Sequence, residues 1–384
     1  MVKTFVAAGL VVLTAAACTA PAAPRTDPAA FSSASALVGK PATLPAPTGP
    51  HPVGATLLFL KDTSRPDPWE PTAPARELKV TLWYPAKTRA GERAPYTSAK
   101  ESELLLKAAR VGTVPFDLFS RTRTNAVKDA EPAGEKGGLP LVVLSPGWTK
   151  PVSTLTSLAE ELASQGYVVA GIDHPYESYA TALPGGRIAE CVACDFDTDP
   201  GFDTRVVQSR AADVSFTLDE LIDRYPELID RSRIAMAGQS IGGAGAVAAM
   251  VKDSRIRAGI NMDGTTYARI PKKDGLSRPF LLLGNPEHVP GGRDHSWDRD
   301  WKLLTGWKRW LMVSGGDHQS FTDFPALAAS VGQRAGGTLT AARAAELTRT
   351  YVTAFLDLHL RGKREPLLDE PSPRYPEVKF CGRS

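Results

Sequence analysis

The segment 238–242, Gly-Gln-Ser-Ile-Gly, constrains the fold more than any other part of the sequence because it has the pattern Gly-x-Ser-x-Gly. The short apolar run 233–237 before it indicates a buried strand, and the small apolar residues 244–251 after it predict a helix. Strand, tight glycine turn and helix are the setting of a nucleophile elbow, which lifts a serine hydroxyl clear of a parallel sheet. The alternative is a glycine-rich turn whose serine only caps the helix. The context favours Ser240 as a nucleophile.

The rest of the chain predicts a mostly parallel sheet. Continuous apolar runs that alternate with helical stretches are typical of buried parallel strands. The central sheet is predicted to have eight strands, at 55–60, 78–83, 139–145, 167–172, 233–237, 256–262, 279–284 and 310–313. The first two are expected to pair antiparallel at one edge, and 361–384 is expected to be a Pro-rich tail. The predicted fold class is therefore α/β, with a single α/β-hydrolase domain over 51–384.

Five helices are expected to flank this sheet, at 104–109, 153–164, 206–225, 244–251 and 340–360. In the second, Ser153 is predicted to cap the N-terminus, and Glu160 and Glu161 are predicted to be exposed. In the third, apolar residues at helical spacing share one face and are expected to pack on the sheet.

The catalytic partners of Ser240 are sought at the carboxyl ends of the strands, where open α/β sheets bind ligands. A nucleophilic serine needs a base, and the base needs a third group to orient it. In α/β-hydrolases these follow one another in the order serine, acid, histidine. His318 follows the last predicted strand in a Gly-Gly-Asp-His turn and is predicted to be the base. Asp263 and Glu287 follow the two preceding strands, and the motif leaves both open as the acid.

Two other histidines fit the position of the base less well. His174 precedes Ser240 in the chain, so it is expected to hold a loop at a strand end by hydrogen bonds. His288 follows a strand end but is not part of a glycine-rich turn.

The N-terminus indicates export. Residues 1–18 have one lysine, an apolar run and small residues before Cys18, which is typical of a secretory signal peptide. Small residues directly before a cysteine resemble a bacterial lipoprotein signal, in which Cys18 carries lipid and attaches the protein to the membrane. The alternative is ordinary cleavage followed by free secretion. Residues 19–50 are rich in Ala, Pro, Ser and Thr and are predicted to form a disordered tether.

Charge and cysteine usage narrow the classes of partner. The net charge of +3 gives no basic surface for nucleic acid. In an exported protein, Cys191, Cys194 and Cys381 favour a structural disulfide over a metal site, with one thiol left over. A redox-active Cys191-x-x-Cys194 is the alternative. We expect no metal or organic cofactor, and we expect a monomer.

Several segments between 51 and 360 share a family pattern, namely VTLWYP (80–85), LSPGW (144–148), LASQGYVV (162–169), DH (173–174), the elbow, INMDG (260–264) and DHQSFTDF (317–324). Together they resemble the plasma-type platelet-activating-factor acetylhydrolases and their bacterial lipase-like relatives. The resemblance implies that the acid lies on the strand directly after the elbow, which is Asp263, and that His318 is the base. The chain departs from the family pattern at Pro146 and Gln239, where the family often has His.

The resemblance implies an exported serine esterase that acts on short or oxidised acyl esters, mainly of phospholipids. The backbone amides of Trp148 and Ile241 are expected to form the oxyanion hole. No acidic cluster for a choline group is evident, so only a weak preference for the head group is expected. The alternatives are a generic carboxylesterase, a polyester or cutin hydrolase, and a lipid-binding lipoprotein without catalysis.

Overall fold

A computed structural model of the 384-residue chain describes residues 41–112, 114–134 and 137–383. The predictions made for 1–18, for Cys18 and for 19–40 lie outside these residues. In the described part of the chain the strands are β1 (Val53–Asp62), β2 (Arg76–Pro85), β3 (Val127–Lys128), β4 (Leu139–Ser145), β5 (Val168–Asp173), β6 (Thr181–Ala182), β7 (Ile188–Ala189), β8 (Ile229–Gln239), β9 (Ile256–Met262), β10 (Phe280–Gly284), β11 (Lys308–Val313) and β12 (Val378–Arg383). The α-helices are α1 (Ala99–Ala108), α2 (Thr156–Ser164), α3 (Phe202–Arg224), α4 (Ile241–Lys252), α5 (Ser296–Trp301), α6 (Phe324–Ser330) and α7 (Ala341–Arg361). Short 3₁₀ turns occur at Val152–Leu155, Pro184–Gly186, Val192–Phe196 and Pro366–Leu368.

Ten of these strands form one sheet, in the order β12-β11-β10-β9-β8-β4-β5-β2-β1-β3. The six strands from β11 to β5 in this order are parallel to one another. At one side, β2 and β1 pair antiparallel, as predicted. The α/β fold class is confirmed, and the central strands lie where the apolar runs predict them.

The sheet has ten strands rather than the eight predicted, because two short edge strands escape the sequence pattern. β3 has only two residues and pairs parallel with β1. β12 lies in the segment predicted to be a Pro-rich tail and pairs antiparallel with β11. The last proline of that segment is Pro376, so every residue of β12 keeps its backbone N–H for the ladder.

The core lies on both faces of the sheet. Leu141 and Val143 of β4 belong to the apolar cluster that contains α3 and α4, whereas Val142 and Leu144 belong to the cluster that contains α2 and α7. Alternate side chains of one strand point to opposite faces, so both faces of β4 are buried. The strand ends that carry polar residues therefore emerge from a sheet fixed on both sides.

Residues 41–50 pack on the domain, so the prediction of a disordered tether over 19–50 is wrong for these ten residues. Ala42 and Leu44 are 1% and 2% exposed. The Thr48 backbone N–H and hydroxyl donate to the Glu161 carboxylate at 2.8 Å and 2.6 Å. The segment is held by partners far away in the sequence, which composition does not reveal.

The predictions for α2 are also wrong in detail. The helix begins at Thr156 after a 3₁₀ turn, and Ser153 makes no capping hydrogen bond to it. Glu160 and Glu161 were expected to be exposed but are 0% and 3% exposed. Glu160 accepts hydrogen bonds from the backbone N–H groups of Asn125 and Ala126, each at 2.7 Å. Both carboxylates thus fasten outer segments to the domain.

Cys191 and Cys194 form a disulfide, a pairing that the sequence left open among three cysteines, and Cys381 on β12 is a half-buried free thiol. Of the helices described, none combines the length and the hydropathy that crossing a bilayer requires.

Candidate active site

Ser240 lies in the sharp turn between β8 and α4. Its backbone has φ 57° and ψ −128°, a conformation that costs a non-glycine residue free energy and is typical of functional sites. A Cβ on Gly238 would lie 2.2 Å from the Gly242 carbonyl, and a Cβ on Gly242 would lie 2.1 Å from the Ser145 carbonyl oxygen. The two glycines of the motif are therefore required for the turn to fit beside β4.

Asp263 and His318 follow β9 and β11 and meet at the same edge of the sheet. His318 Nδ1 lies 2.6 Å from Asp263 Oδ2. The Asp263 side chain is fully buried, whereas the His318 side chain is 46% exposed. Both residues line a cavity of ≈ 520 Å³ together with Ser240. The hydrogen bond through Nδ1 leaves the other ring nitrogen of His318 to exchange a proton.

The other candidate acid, Glu287, lines the same cavity but is not bonded to His318 in the described part of the chain. Its side chain is 67% exposed, and its nearest cation is Arg293 at 3.9 Å. The geometry therefore separates the two carboxylates that the motif left open and favours Asp263.

Gln239 connects the elbow to the histidine turn. Its side-chain N–H donates to the His318 carbonyl oxygen at 2.9 Å, and the same nitrogen lies 3.3 Å from His318 Nε2. This residue precedes Ser240 directly, so the contact places the His318 ring beside the serine. The sequence analysis treated Gln239 as a variable position of the motif and missed this contact.

The Asp263 carboxylate accepts hydrogen bonds from three residues. Besides His318, Asn285 donates its backbone N–H to Oδ1 at 2.7 Å, and His288 Nδ1 lies 2.9 Å from Oδ1. Burial alone would raise the pKa of Asp263, but the hydrogen bonds to His288 and His318 outweigh burial and lower that pKa. Asp263 is therefore ionised at neutral pH, as a group that stabilises an imidazolium must be.

His288 is bonded to carboxylates through both ring nitrogens. Its Nε2 lies 3.1 Å from Asp294 Oδ2, while its Nδ1 faces Asp263. Burial opposes its charge, but the two carboxylates raise the pKa of His288 to about 9. A histidine that donates through both nitrogens cannot accept a proton from serine, so His318 is better suited than His288 to be the base. The sequence analysis missed this pairing, since Asp263 and Asp294 follow no motif with His288.

The candidate oxyanion donors lie on the other side of Ser240. A Cβ on Gly147 would lie 3.5 Å from Ser240 Cβ, so the turn after β4 passes directly beside the serine. Trp148 and Ile241 both line the cavity with Ser240. Among the described residues, no backbone carbonyl accepts a hydrogen bond from either amide. Two unpaired amides at one cavity can bind the oxygen of a tetrahedral intermediate.

A buried cation holds the turn that carries Trp148. Arg210 of α3 donates through Nη1 to the Pro146 carbonyl oxygen, and through Nε to Glu177 at 2.7 Å. Arg210 and Glu177 are each 1% exposed. Pro146 offers no N–H, but its carbonyl is the anchor, so the departure from the family pattern at this position removes no donor from the site.

His174 lies behind the same turn. Its Nε2 lies 3.0 Å from Ser145 Oγ and its Nδ1 lies 2.7 Å from Asp213 Oδ2, and all three residues are buried. The expectation that His174 holds a strand-end loop by hydrogen bonds is confirmed.

Comparisons with known proteins show which family the chain resembles. A family model described as platelet-activating factor acetylhydrolase, isoform II, matches residues 37–184, and a PET hydrolase-like model matches residues 130–329. The chain is 32% identical over 369 residues to a probable 1-alkyl-2-acetylglycerophosphocholine esterase of Arthroderma benhamiae, with 88% of this chain and 93% of that protein covered. It is 25% identical to the platelet-activating factor acetylhydrolase of Canis lupus familiaris, over 73% and 68% of the two chains. A ferulic acid esterase structure from Streptomyces cinnamoneus is 44% identical, with a TM-score of 0.80 and coverage of 89% and 100%.

Proposed function

Because this chain belongs to the platelet-activating-factor acetylhydrolase-like family of α/β-hydrolase esterases, we propose that it cleaves short acyl esters with Ser240, His318 and Asp263. Esterase activity follows from the family, and the roles of the residues are our proposal. The observation that carries it is the 2.6 Å hydrogen bond between His318 and Asp263, on a cavity that both share with Ser240.

In the proposed mechanism, Ser240 Oγ attacks the ester carbonyl carbon while His318 Nε2 takes the serine proton. The amides of Trp148 and Ile241 bind the oxyanion, each contributing roughly 3 kcal/mol to the stability of the transition state. His318 then gives the proton to the leaving alcohol, and Asp263 stabilises the imidazolium throughout. A water molecule attacks the acyl-enzyme by the same steps and releases the acid.

The residues on the cavity walls favour an ester with a short acyl group and a cationic alcohol. The Trp148 ring packs edge-on against Phe202 with centroids 5.1 Å apart, so its position beside the oxyanion amide is fixed and limits the acyl chain. Asp197, Asp203 and Glu287 line the same cavity. Asp197 and Asp203 lie close together in the sequence, but Glu287 is far from them along the chain, so the sequence alone does not show that all three face one cavity. They favour a choline ester, so we propose an acetylated choline phospholipid as the substrate class.

A second candidate substrate is a feruloyl ester. The 44% identity to a ferulic acid esterase favours it, and the aromatic residues Trp148, Phe202 and Tyr267 on the cavity could hold a phenolic acyl group. The PET hydrolase-like match over residues 130–329 likewise keeps a polyester among the substrates to be tested.

A substrate panel tests this proposal. It compares p-nitrophenyl acetate, butyrate and palmitate, an acetylated ether phosphocholine, the matching acetylated glyceride without a head group, methyl ferulate and a polyester film. Ser240→Ala serves as the blank for each substrate. We expect acetate and butyrate to exceed palmitate, and the phosphocholine to exceed the neutral glyceride. Faster hydrolysis of palmitate than of butyrate would contradict the short acyl site. Hydrolysis of methyl ferulate or of the film, with no hydrolysis of the phospholipid, would favour the feruloyl ester or the polyester as the substrate.

We also propose that the protein is exported and that Cys18 carries lipid. The support is the sequence pattern of 1–18, because these residues lie outside the described part of the chain. Intact-mass analysis of the native protein from its host tests this proposal. A mature chain that begins at Cys18 with added acyl mass is expected, and a chain without that mass would rule out the anchor.

A further inference from the structure

A second cavity, of ≈ 290 Å³, lies between α1, α6 and the segment that leads from β4 into α2. Its walls are mainly apolar and include Leu105, Leu106, Phe119, Phe324 and Leu327. Four of these side chains belong to an apolar cluster separate from the two clusters that cover the sheet, and Phe324 packs against it. Protein interiors are otherwise close-packed, so an apolar void of this size has the character of a ligand cavity.

One cation lies on this cavity. Lys150 is the sole residue with a charged side chain among the described residues that line it. Its Nζ lies 5.1 Å from the centroid of the Tyr179 ring and 5.8 Å from that of the Phe324 ring, and both rings line the cavity too. No carboxylate in the described part of the chain compensates this charge, and burial lowers the pKa of Lys150. A partly buried cation in such a wall is stabilised when an anion binds beside it.

This cavity is distinct from the one that contains Ser240. Among the described residues, none lines both cavities. They are neighbours, however, because Lys150 follows Trp148 by two residues and Gln319, on the second cavity, follows His318 directly. The second cavity thus adjoins the catalytic turns without opening onto the nucleophile.

We propose that the second cavity binds a fatty-acid anion, with its alkyl chain against α1 and α6 and its carboxylate at Lys150 Nζ. One lysine neutralises one carboxylate. An alkyl phosphate carries a charge of about −1.5 to −2 at neutral pH, and the excess would lie in an apolar wall. A cationic amphiphile would face Lys150 directly. This site goes beyond the proposed esterase function and does not depend on it.

Isothermal titration calorimetry on the full chain with Ser240→Ala tests the site without ester hydrolysis. The probes are decanoate, decanol, decyl phosphate and decyltrimethylammonium, which share one chain and differ in the charge of the head. We expect decanoate to bind most tightly. The double variant with Lys150→Met keeps the length of the side chain. It is expected to weaken the binding of decanoate by about 10- to 100-fold and the binding of decanol by less than about threefold.

Two further variants separate the charge from the cavity. Lys107→Met is the matched control, because Lys107 of α1 lies over the Phe116 ring at 5.2 Å but pairs with Glu103 outside the cavity wall. It is expected to leave the binding of decanoate unchanged. Ala328→Trp fills the cavity from α6 and is expected to abolish the binding of both decanoate and decanol, while a cooperative thermal unfolding transition shows that this variant is folded.

Three results would overturn the proposal: equal decanoate affinity with and without Lys150→Met, tighter binding of decyl phosphate than of decanoate, or equally tight binding of decyltrimethylammonium. Retained decanol binding in Lys150→Met shows that this variant is folded. Since every titration uses Ser240→Ala, loss of the proposed esterase function would leave these results unaffected.

Discussion

The described part of the chain brings serine, histidine and aspartate together at two places, which differ in the properties that an active site needs. Behind β4, Ser145 Oγ lies 3.0 Å from His174 Nε2, and His174 Nδ1 lies 2.7 Å from Asp213. At the strand ends, His318 Nδ1 lies 2.6 Å from Asp263, beside Ser240. The histidine–carboxylate bonds of the two arrangements are nearly the same length.

What differs is the surroundings. Ser145, His174 and Asp213 are at most 2% exposed, so no ester can reach them. Ser145 is an ordinary strand residue, whereas Ser240 lies on a strained turn and shares its cavity with Trp148 and Ile241, whose amides are the proposed oxyanion donors. Burial and then the charge of Arg210 lower the pKa of His174, and Asp213 is paired with Arg76 at 2.9 Å. A hydrogen-bonded serine, histidine and aspartate also need access for the substrate and oxyanion donors before they can perform nucleophilic catalysis.

Substituting the two serines gives the largest expected difference in kcat. Ser240→Ala should lower kcat by about 10⁶-fold because no other hydroxyl can form the acyl-enzyme. Ser145→Ala should keep kcat within about tenfold and cost about 1–3 kcal/mol of stability, since it leaves His174 and Arg210 with an unmade hydrogen bond. Turnover of p-nitrophenyl butyrate measures kcat for both variants, and labelling by a fluorophosphonate shows which serine is the nucleophile. Urea unfolding measures the stability of Ser145→Ala. Label found on Ser145 would reverse the assignment.

The two candidate acids on the cavity of Ser240 give the second largest expected difference in kcat. Asp263→Asn should lower kcat by about 10³- to 10⁴-fold, because an amide favours the wrong imidazole tautomer. Glu287→Gln, on the same cavity, should change kcat for p-nitrophenyl butyrate by less than about threefold. Should Glu287→Gln cause the large loss instead, the acid lies one strand further along the chain.

The buried arrangement is expected to act on stability. Asp213→Asn removes the charge that faces Arg76 and Arg65. Arg76 keeps Asp67 at 2.7 Å, so the loss of stability is expected near the lower end of the about 3–5 kcal/mol that breaking a buried pair costs. Asp219→Asn on the same helix is the control, because Asp219 is 63% exposed where it pairs with Arg255, and exposed pairs contribute about 0–1 kcal/mol. Urea unfolding measures both variants. Equal losses of stability in the two variants would show that the buried ion pairs of Asp213 contribute no more than an exposed pair.

The smallest expected effect is the pH dependence of stability due to His288. The pKa of this histidine rises from 6.5 to about 9 on folding, so its contribution is fully present below 6.5 and is lost as pH rises through about 9. Allowing for partial screening, the contribution is about 2 kcal/mol. Thermal unfolding should therefore show the parent losing its advantage over His288→Gln across this range. A difference between the two that stays constant with pH would contradict the prediction.

The central sheet is predictable because its signal is local. The runs 139–145 and 256–262 are mainly apolar, and β4 and β9 have these bounds. The catalytic candidates Ser240 and His318 are predictable for the same reason, since each lies in a glycine-rich turn directly after such a run.

The supporting contacts are not predictable from local patterns, because their partners are distant in the chain. Thr48 and Glu161 are 113 residues apart, and Asp263 and His288 are 25 apart. The sequence does contain one signal of the buried polar network. Arg210 and Asp213 occur at helical spacing among the apolar residues of α3, and polar residues on a core-facing stripe indicate a buried network.

The position of β12 has a consequence for synthesis of the protein. β11, whose end leads into the turn of His318, has β12 as its outer neighbour, and β12 is synthesised after every other described strand. Until then, the growing chain exposes an unpaired edge of β11, which is a template for aggregation. A nascent chain that stalls before Val378 would carry the whole nucleophile elbow and yet present this bare edge.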